Sequence, residues 1–432
     1  MLNSLFKIKS KSKNGINVIS SYPREYSYLK PVIDSLQKEN IPISFYVKKS
    51  IIESNLVKLS KLDKLYELDS FDLHFYVRKV FYKIVRRTCW ILFKPFISIP
   101  KINYIITNLM SLNFDNPFEY KTIVTITKHQ FPWLLCSRNN YIITFPGSWD
   151  HYFKYYIGYY SDVYVGWSKK MCLHWKDRQG SNLFKIGFPY IFDYASDFKL
   201  RKSLEKDIIQ VNQKEKTFKV LYPLSTCLEF GESIYRSELH LVKIIQKALL
   251  EFNVDFIVKA KPNSSKAEID ELLTMFKLPS IKEPLKHINN FSKEYNLERR
   301  SLLENIDSVI NFGTTFAIDS AIALLPVMQL DLRNYINKEI FNLSTLQNKF
   351  QPLEDYLLEK EDLIYSVYND NDIYNAIKEY IKDLNTGSSN SKPYKYSKYL
   401  RESLTDSDYL TSNIRNKRQS EIVDFIKKHA NS

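Results

Sequence analysis

From Thr217 to Leu332 the chain repeats one pattern, a short and almost wholly apolar run followed by a helical segment. "TFKVLYPL", "DFIVKAK", "DSVINFG" and "PVMQLDL" show little alternation of apolar and polar residues, so neither face of such a strand is suited to water. Between the first two runs lies "RSELHLVKIIQKALLEFNV", in which Leu239, Val242, Ile245 and Leu249 recur at helical spacing on one face. "KAEIDELLTMF", "LERRSLLENI" and "FAIDSAIALL" are further helical segments. Strands buried on both faces and joined through helices make a parallel sheet covered on both sides, because parallel neighbours need a long crossover between them.

The first half follows the same logic with weaker signals. In "INVISSYPREYSYLKPVIDSLQKENIPISFYV" a β-branched run, a helix carrying Leu29, Val32, Ile33 and Leu36, and a second apolar run ending at Val47 form a strand, helix, strand unit. Strands are also expected in "TIVTITK", "YIITFPG", "DVYVGWS" and "LFKIGFPY". The charged stretch "DFKLRKSLEKDIIQVNQKEK" has no clear apolar face and reads as a linker. The fold class expected is therefore α/β, with two Rossmann-like doubly wound domains over residues 1–205 and 206–385. Residues 386–432 are expected to hold a flexible polar insert, "LNTGSSNSKPYKYSK", and a closing helix, "RQSEIVDFIKKH". A chain of 432 residues with 44% hydrophobic and 25% charged content has the material for such cores.

Charge narrows the partners. The formal net charge of +14, from 62 Lys and Arg against 48 Asp and Glu, favours polyanions or phosphate-bearing ligands. Basic residues are spread along the whole length with no recognition motif, so nucleic acid is not an expected partner. The cysteines Cys89, Cys136, Cys172 and Cys227 have no C-x-x-C spacing, which argues against a zinc site or a disulfide framework and fits a reducing cytoplasm. "MLNSLFKIKSKSK" lacks the apolar stretch of a secretory signal, and no run is long and apolar enough for a transmembrane helix. "KVFYKIVRRTCWILFKPFISIP", Lys79 to Pro100, mixes bulky apolar groups with cations and suits either a core helix with a basic face or peripheral contact with an anionic membrane surface.

In an open parallel sheet, ligands sit beyond the carboxyl ends of the strands. Three loops of the second half fall there. Gly313, Thr314 and Thr315 follow the strand "DSVINFG" and open a helix, a place where amides and hydroxyls favour phosphate, while Asp319 lies one turn further along, in reach of ribose hydroxyls. The plain alternative makes the threonines an N-cap and Asp319 a solvated helix residue. Lys261 and Pro262 end "VKAKP", with the lysine supplying a cation and the proline ending the strand. Ser225 and Thr226 follow "VLYPL" and suit either nucleotide contact or turn formation.

The order "YPLST", "VKAKP", "INFGTTFAIDSAIALLPVMQLDL" resembles the C-terminal half of GT-B glycosyltransferases, closest to the group of CDP-glycerol glycerophosphotransferases and capsular polysaccharide transferases. In that group a strand ends in a basic residue, His and Pro, and a later strand is followed by Ser-Ser-x-x-x-Asp or Glu, a helix, and a strand opening with Pro-Val or Pro-Ile. Here Thr314 and Thr315 match the serines, Asp319 the acid, Pro326 and Val327 the last strand, and Pro262 the proline, while Lys261 stands where the group has His. "REYSYLKPVIDSLQKENIPISFYV" and "FPGSWDHYFKYYIGYYSDVYVGWSKKM" resemble N-terminal segments of the same enzymes.

The resemblance implies two domains facing an interdomain cleft, and a glycosyltransferase that moves a sugar from a nucleotide-activated donor to a surface polysaccharide or its lipid-linked acceptor. A CDP-polyol phosphotransferase is the neighbouring alternative, and a UDP-sugar 2-epimerase shares the architecture. Phosphate neutralisation would fall to Lys261 and the threonine turn, so neither a metal nor a cofactor is expected beyond the donor itself. "NDNDIY" sits at a helix start and reads as capping, not as a metal-binding D-x-D. The base for the acceptor hydroxyl is expected from the first domain, at Asp150 or His151 in "PGSWDHYF" or at His129 in "ITKHQFPW", each after an apolar strand.

Overall fold

The structure is a computed structural model, and it describes residues 12–20, 23–53, 55–67, 118–126, 140–145, 162–166, 168–170, 182–185, 217–261, 264–276, 301–349, 357–405 and 412–430. The chain divides into two units, Met1–Tyr190 with Asn413–Ser432, and Ile191–Ser412. The linker expected around residues 200–215 and the basic stretch Lys79 to Pro100 lie outside the described residues.

In the first unit the described strands are β1 (Ser12–Ser20), β2 (Ile43–Val47), β3 (Lys64–Glu67), β4 (Tyr120–Ile126), β5 (Tyr141–Phe145), β6 (Val163–Gly166) and β7 (Asn182–Lys185). They form one sheet in the order β3-β2-β1-β4-β5-β6-β7, with every pairing parallel. This is the classical doubly wound order, with its topological switch between β1 and β4. Helix α1 (Pro23–Lys38) crosses from β1 to β2, and the predicted face of Leu29, Val32, Ile33 and Leu36 is buried. The short helix α2 (Lys49–Glu53) follows β2 and buries Ile51. The β1 to β4 register shifts between Ser12 and Ile16, and a Cβ on Gly15 would fall 2.4 Å from the edge of the Tyr120 ring. Glycine is required there by that close approach. Buried Asn17 seals the same irregularity, since its side chain donates to the carbonyls of Tyr120 at 2.8 Å and Thr122 at 2.9 Å and accepts from the Tyr120 amide.

The second unit holds β8 (Phe218–Pro223), helix α3 (Glu232–Leu249), β9 (Val254–Lys259), helix α4 (Lys266–Met275), β10 (Ser308–Asn311), helix α5 (Phe316–Ile322), β11 (Val327–Asp331), helix α6 (Phe341–Lys349), β12 (Tyr365–Ser366), and helices α7 (Asp370–Thr386) and α8 (Lys392–Thr405). Its sheet runs β12-β11-β10-β8-β9, again wholly parallel. The order reverses between β8 and β10, so the loops after these strands diverge to opposite faces of the sheet and leave a crevice at their carboxyl ends. The predicted apolar face of α3 is buried to the last residue, and each such aliphatic side chain contributes roughly 1.5–3 kcal/mol relative to exposure.

The stretch expected to be a flexible polar insert is mostly helical. Asn369 caps α7 by accepting from the Asp372 amide, as "NDNDIY" predicted, and Gly387, at φ 58°, closes that helix in the left-handed region. Helix α8 begins five residues later, because Tyr396 and Leu400 lie one turn apart and both bury fully, anchoring a face that the intervening lysines disguise. The closing helix α9 (Ser412–Ala430) belongs with the first unit, where the Gln419 side-chain amide donates to the Pro31 carbonyl at 2.9 Å and the Thr122 hydroxyl donates to the His429 carbonyl at 2.8 Å.

Candidate functional site

Three loops of the second unit meet at the carboxyl edge of β8, β9 and β10. Pro223 is in register with Lys259, and the Leu224 amide donates to the Lys259 carbonyl at 2.9 Å, so β8 and β9 end together. Beyond that point the Lys261 ammonium donates to the Ser225 carbonyl and stands 4.1 Å from the centroid of the Phe230 ring. The Lys259 ammonium lies 5.6 Å from the centroid of the Phe316 ring, which brings the end of β9 to the start of α5. Two lysines thus lie among the loops on either side of the switch point, where a cation over an aromatic face is held without losing its charge.

The turn after β10 is built by a buried amide network. The Asn311 side-chain oxygen accepts from the Thr314 amide at 3.1 Å and the Thr314 hydroxyl at 2.7 Å, and its NH2 donates to Gln329 at 2.6 Å. Gln329 in turn donates to the carbonyls of Phe312 and Leu330, and Gln347 of α6 donates to the same two carbonyls while accepting from the Leu332 amide. Each polar group in this cluster has its partner, which makes the turn rigid instead of costly. The Thr314 hydroxyl also accepts from the Phe316 amide at 3.2 Å, so this threonine does cap the helix, whereas Thr315, the residue immediately before α5, makes no side-chain capping bond.

Gly313, Thr314 and Thr315 remain half-buried, while every residue of α5 is buried. Asp319 is 6% exposed, so it is not the solvated helix residue of the plain alternative. Arg401 of α8 closes the far end of α5 by donating to the Ala321 carbonyl at 2.8 Å, in keeping with the negative pole of a helix.

Sequence reasoning missed the residue that shapes the first loop. Glu238 of α3 is fully buried, and its carboxylate accepts from the amides of Ser225 and Thr226, both at 2.8 Å, from the Thr226 hydroxyl and from the Tyr222 hydroxyl at 3.2 Å. Burial pushes its carboxyl above the usual range, opposed by the donors from Thr226, Ser225 and Tyr222. Ser225 and Thr226 therefore form a turn through their amides. The available signal was position, since Tyr235, Glu238, Leu239 and Val242 fall on one helical stripe and a carboxylate there must find donors inside.

A second carboxylate ties the loops together. Glu268 of α4 reciprocates with Ser265 in a capping box and accepts from the Leu228 amide at 2.8 Å, linking the β9 loop to the β8 loop. Burial raises its carboxyl, but the Leu228 amide and the Ser265 hydroxyl and amide outweigh this and hold it below the usual range. Of the residues singled out from sequence, Lys261, Ser225, Thr226, Thr314, Thr315 and Asp319 all lie on the elements of this edge. Pro262, Asp150, His151 and His129 lie outside the described residues.

Comparison with solved structures gives the fold a context. A structure of the wall teichoic acid polymerase TagF is similar with a TM-score of 0.51 at 13% identity, covering 99% of this chain and 92% of that one. A variant of TagF soaked with CDPG is similar with a TM-score of 0.50 at 12% identity over the same shares of the two chains. The S. aureus MnaA-UDP co-structure has a TM-score of 0.48 at 12% identity, covering 97% of each chain. No family model matches the chain, and no curated protein matches it in sequence. The chain has an α/β fold of two doubly wound units and resembles GT-B transferases in its fold.

Proposed function

We propose that this chain is a GT-B transferase that takes a nucleotide-activated donor and transfers its sugar to a surface polysaccharide or to the lipid-linked precursor of one. The observation that carries the reading is the convergence of Lys261, Lys259 and the Thr314 turn at the switch point of the second sheet. Amides, hydroxyls and ammonium groups at such an edge are the set that stabilises the phosphates of a departing nucleotide. In this reading Lys261 neutralises the donor's phosphates, Thr314 and Thr315 hold them, and Asp319, Ser225, Thr226 and Pro262 complete the nucleotide site. The acceptor's base is assigned to Asp150, His151 or His129. The net charge of +14 would serve acidic acceptors or an anionic membrane surface.

The likeness to TagF supports a second reading, transfer of a polyol phosphate from a CDP-linked donor, because that protein is a teichoic acid polymerase and was soaked with CDPG. Thermal shift with CDP, CMP, UDP and GDP tests both readings. A nucleotide held at about a hundred times its Kd adds about 2.7 kcal/mol to stability by mass action. A cytidine-selective rise supports the polyol phosphate reading, a rise with UDP or GDP supports sugar transfer, and no response to any of the four overturns the proposal.

A further inference from the structure

The peptide unit between Ser225 and Thr226 stands between opposite charges. Its N–H donates to the Glu238 carboxylate at 2.8 Å, and its carbonyl accepts from the Lys261 ammonium. The preceding N–H, of Ser225, donates to the same carboxylate at 2.8 Å, and the Thr226 hydroxyl donates there as well. Hydrogen bonds in a chain polarise one another, so a peptide whose N–H is held by an anion presents a stronger carbonyl to a cation. The carboxylate itself is fully buried on the apolar stripe of α3, a place where an aliphatic residue would pack at lower desolvation cost.

We propose that Glu238 is a positioning residue: through the Ser225–Thr226 peptide it fixes the Lys261 ammonium at the carboxyl edge of β8 and β9, where the phosphate of a nucleotide donor would be met. The purpose at that edge rests on the transferase reading above, whereas the coupling of Glu238 to Lys261 stands on the geometry alone. The Phe230 ring supports the far side of the same ammonium, 4.1 Å from its centroid. Lysine side chains have many rotamers, and one already held in place binds an anion without losing that freedom at the moment of binding. Glu238 never touches the ligand in this scheme, and its influence passes entirely through one peptide group.

The test reads the lysine directly. Full-length wild type and Glu238→Gln are labelled with limiting acetic anhydride, and the acetylation of Lys261 is measured by mass spectrometry relative to Lys243, an exposed lysine on the same helix as Glu238. Glutamine keeps the shape but removes the charge and half of the acceptors. With the circular dichroism spectrum unchanged, the Lys261 to Lys243 ratio should rise about threefold or more, as the release of one charge-assisted bond implies. A purely local role for Glu238 in satisfying loop amides would leave the ratio where it was, and that result overturns the proposal. Where Glu238→Gln does not fold, Glu238→Asp keeps the charge but withdraws the carboxylate by one methylene from the Ser225 and Thr226 amides and should move the ratio in the same direction, with no change overturning it.

A second arm uses whichever of CDP, CMP, UDP or GDP stabilises the wild type. Glu238→Gln should weaken its binding nearly as much as Lys261→Ala, and the double variant should lose little more than either, since both act through one group. Full additivity would show that Glu238 acts independently of Lys261. A wild type that binds none of the four overturns the transferase reading, and the labelling ratio then decides the coupling by itself.

Discussion

The Asn311 side-chain oxygen accepts two bonds from one residue, the amide of Thr314 at 3.1 Å and its hydroxyl at 2.7 Å. Because the NH2 of the same side chain donates to buried Gln329, the turn after β10 is clamped to the neighbouring strand β11. Asn311→Ala would leave donors and acceptors in the interior without partners, a loss of about 1–3 kcal/mol. Urea denaturation should show a lower midpoint at unchanged slope. A midpoint equal to wild type would mean that the turn holds without its clamp.

Glu268 gives the second unit a dependence on acid. Its carboxyl is held below the usual range in the folded state, so the unfolded chain takes up its proton first as pH falls. The stabilisation is complete above the ordinary glutamate range, about pH 4.3, and is lost as pH drops through the lowered folded value. Glu268→Gln should be less stable than wild type at neutral pH, and the difference should shrink as the solution becomes more acidic than about pH 4. Parallel melting curves across pH check this, and a pH-independent gap would remove Glu268 as the cause.

His429 adds a second window. Burial lowers its imidazole pKa, with Lys428 and Lys121 acting in the same direction, and its ring stacks on Tyr141 with centroids 4.1 Å apart. The unfolded chain therefore binds the proton more readily, and stability falls as pH drops from the ordinary histidine value of about 6.5 towards the lower folded value. His429→Phe keeps the ring stack and removes the titration. Its stability should be flatter between about pH 7 and pH 5 than that of wild type. A slope equal to wild type would mean that other groups carry this dependence.

Asn40 sits at φ 58° just after α1, where the Ile41 amide donates back to the Leu36 carbonyl at 3.1 Å. A β-carbon without a polar group to hydrogen-bond locally is disfavoured in this left-handed conformation by about 1 kcal/mol. Asn40→Ala should lower the melting temperature of the first unit, and Asn40→Gly should hold or raise it. Equal losses for both substitutions would point to the side chain itself and not to its backbone.

Apolar periodicity made the strands and helices of the second unit legible, because a parallel strand buried on both faces leaves an unbroken apolar run and α3 leaves a clear stripe. β10, β11 and the turn between β10 and α5 follow the sequence reading closely. The polar scaffold of the site was not read, although it left a trace. Glu238 interrupts an apolar stripe, and Gln329 and Asn311 interrupt apolar strands, yet which donors and acceptors they meet depends on residues as far apart as Phe312 and Gln347. Strands such as β3 and β12, four and two residues long, carry too few side chains to show a pattern at all. Tyrosine misled at α8, since Tyr396 buries its ring fully while its hydroxyl donates to the Leu357 carbonyl at 2.9 Å.

The return of α9 to the first unit has a kinetic meaning. A ribosome makes Met1–Tyr190 before it makes Ile191–Ser412, but the residues that bond to α1 and β4 of the first unit, through Gln419 and His429, are synthesised only after Ile191–Ser412. Domains emerging from the ribosome generally fold in order of synthesis. Here the earlier-born unit must wait, with part of its apolar surface bare, until the later one has been completed. Loss of Asn413–Ser432 would therefore injure the unit that is made first.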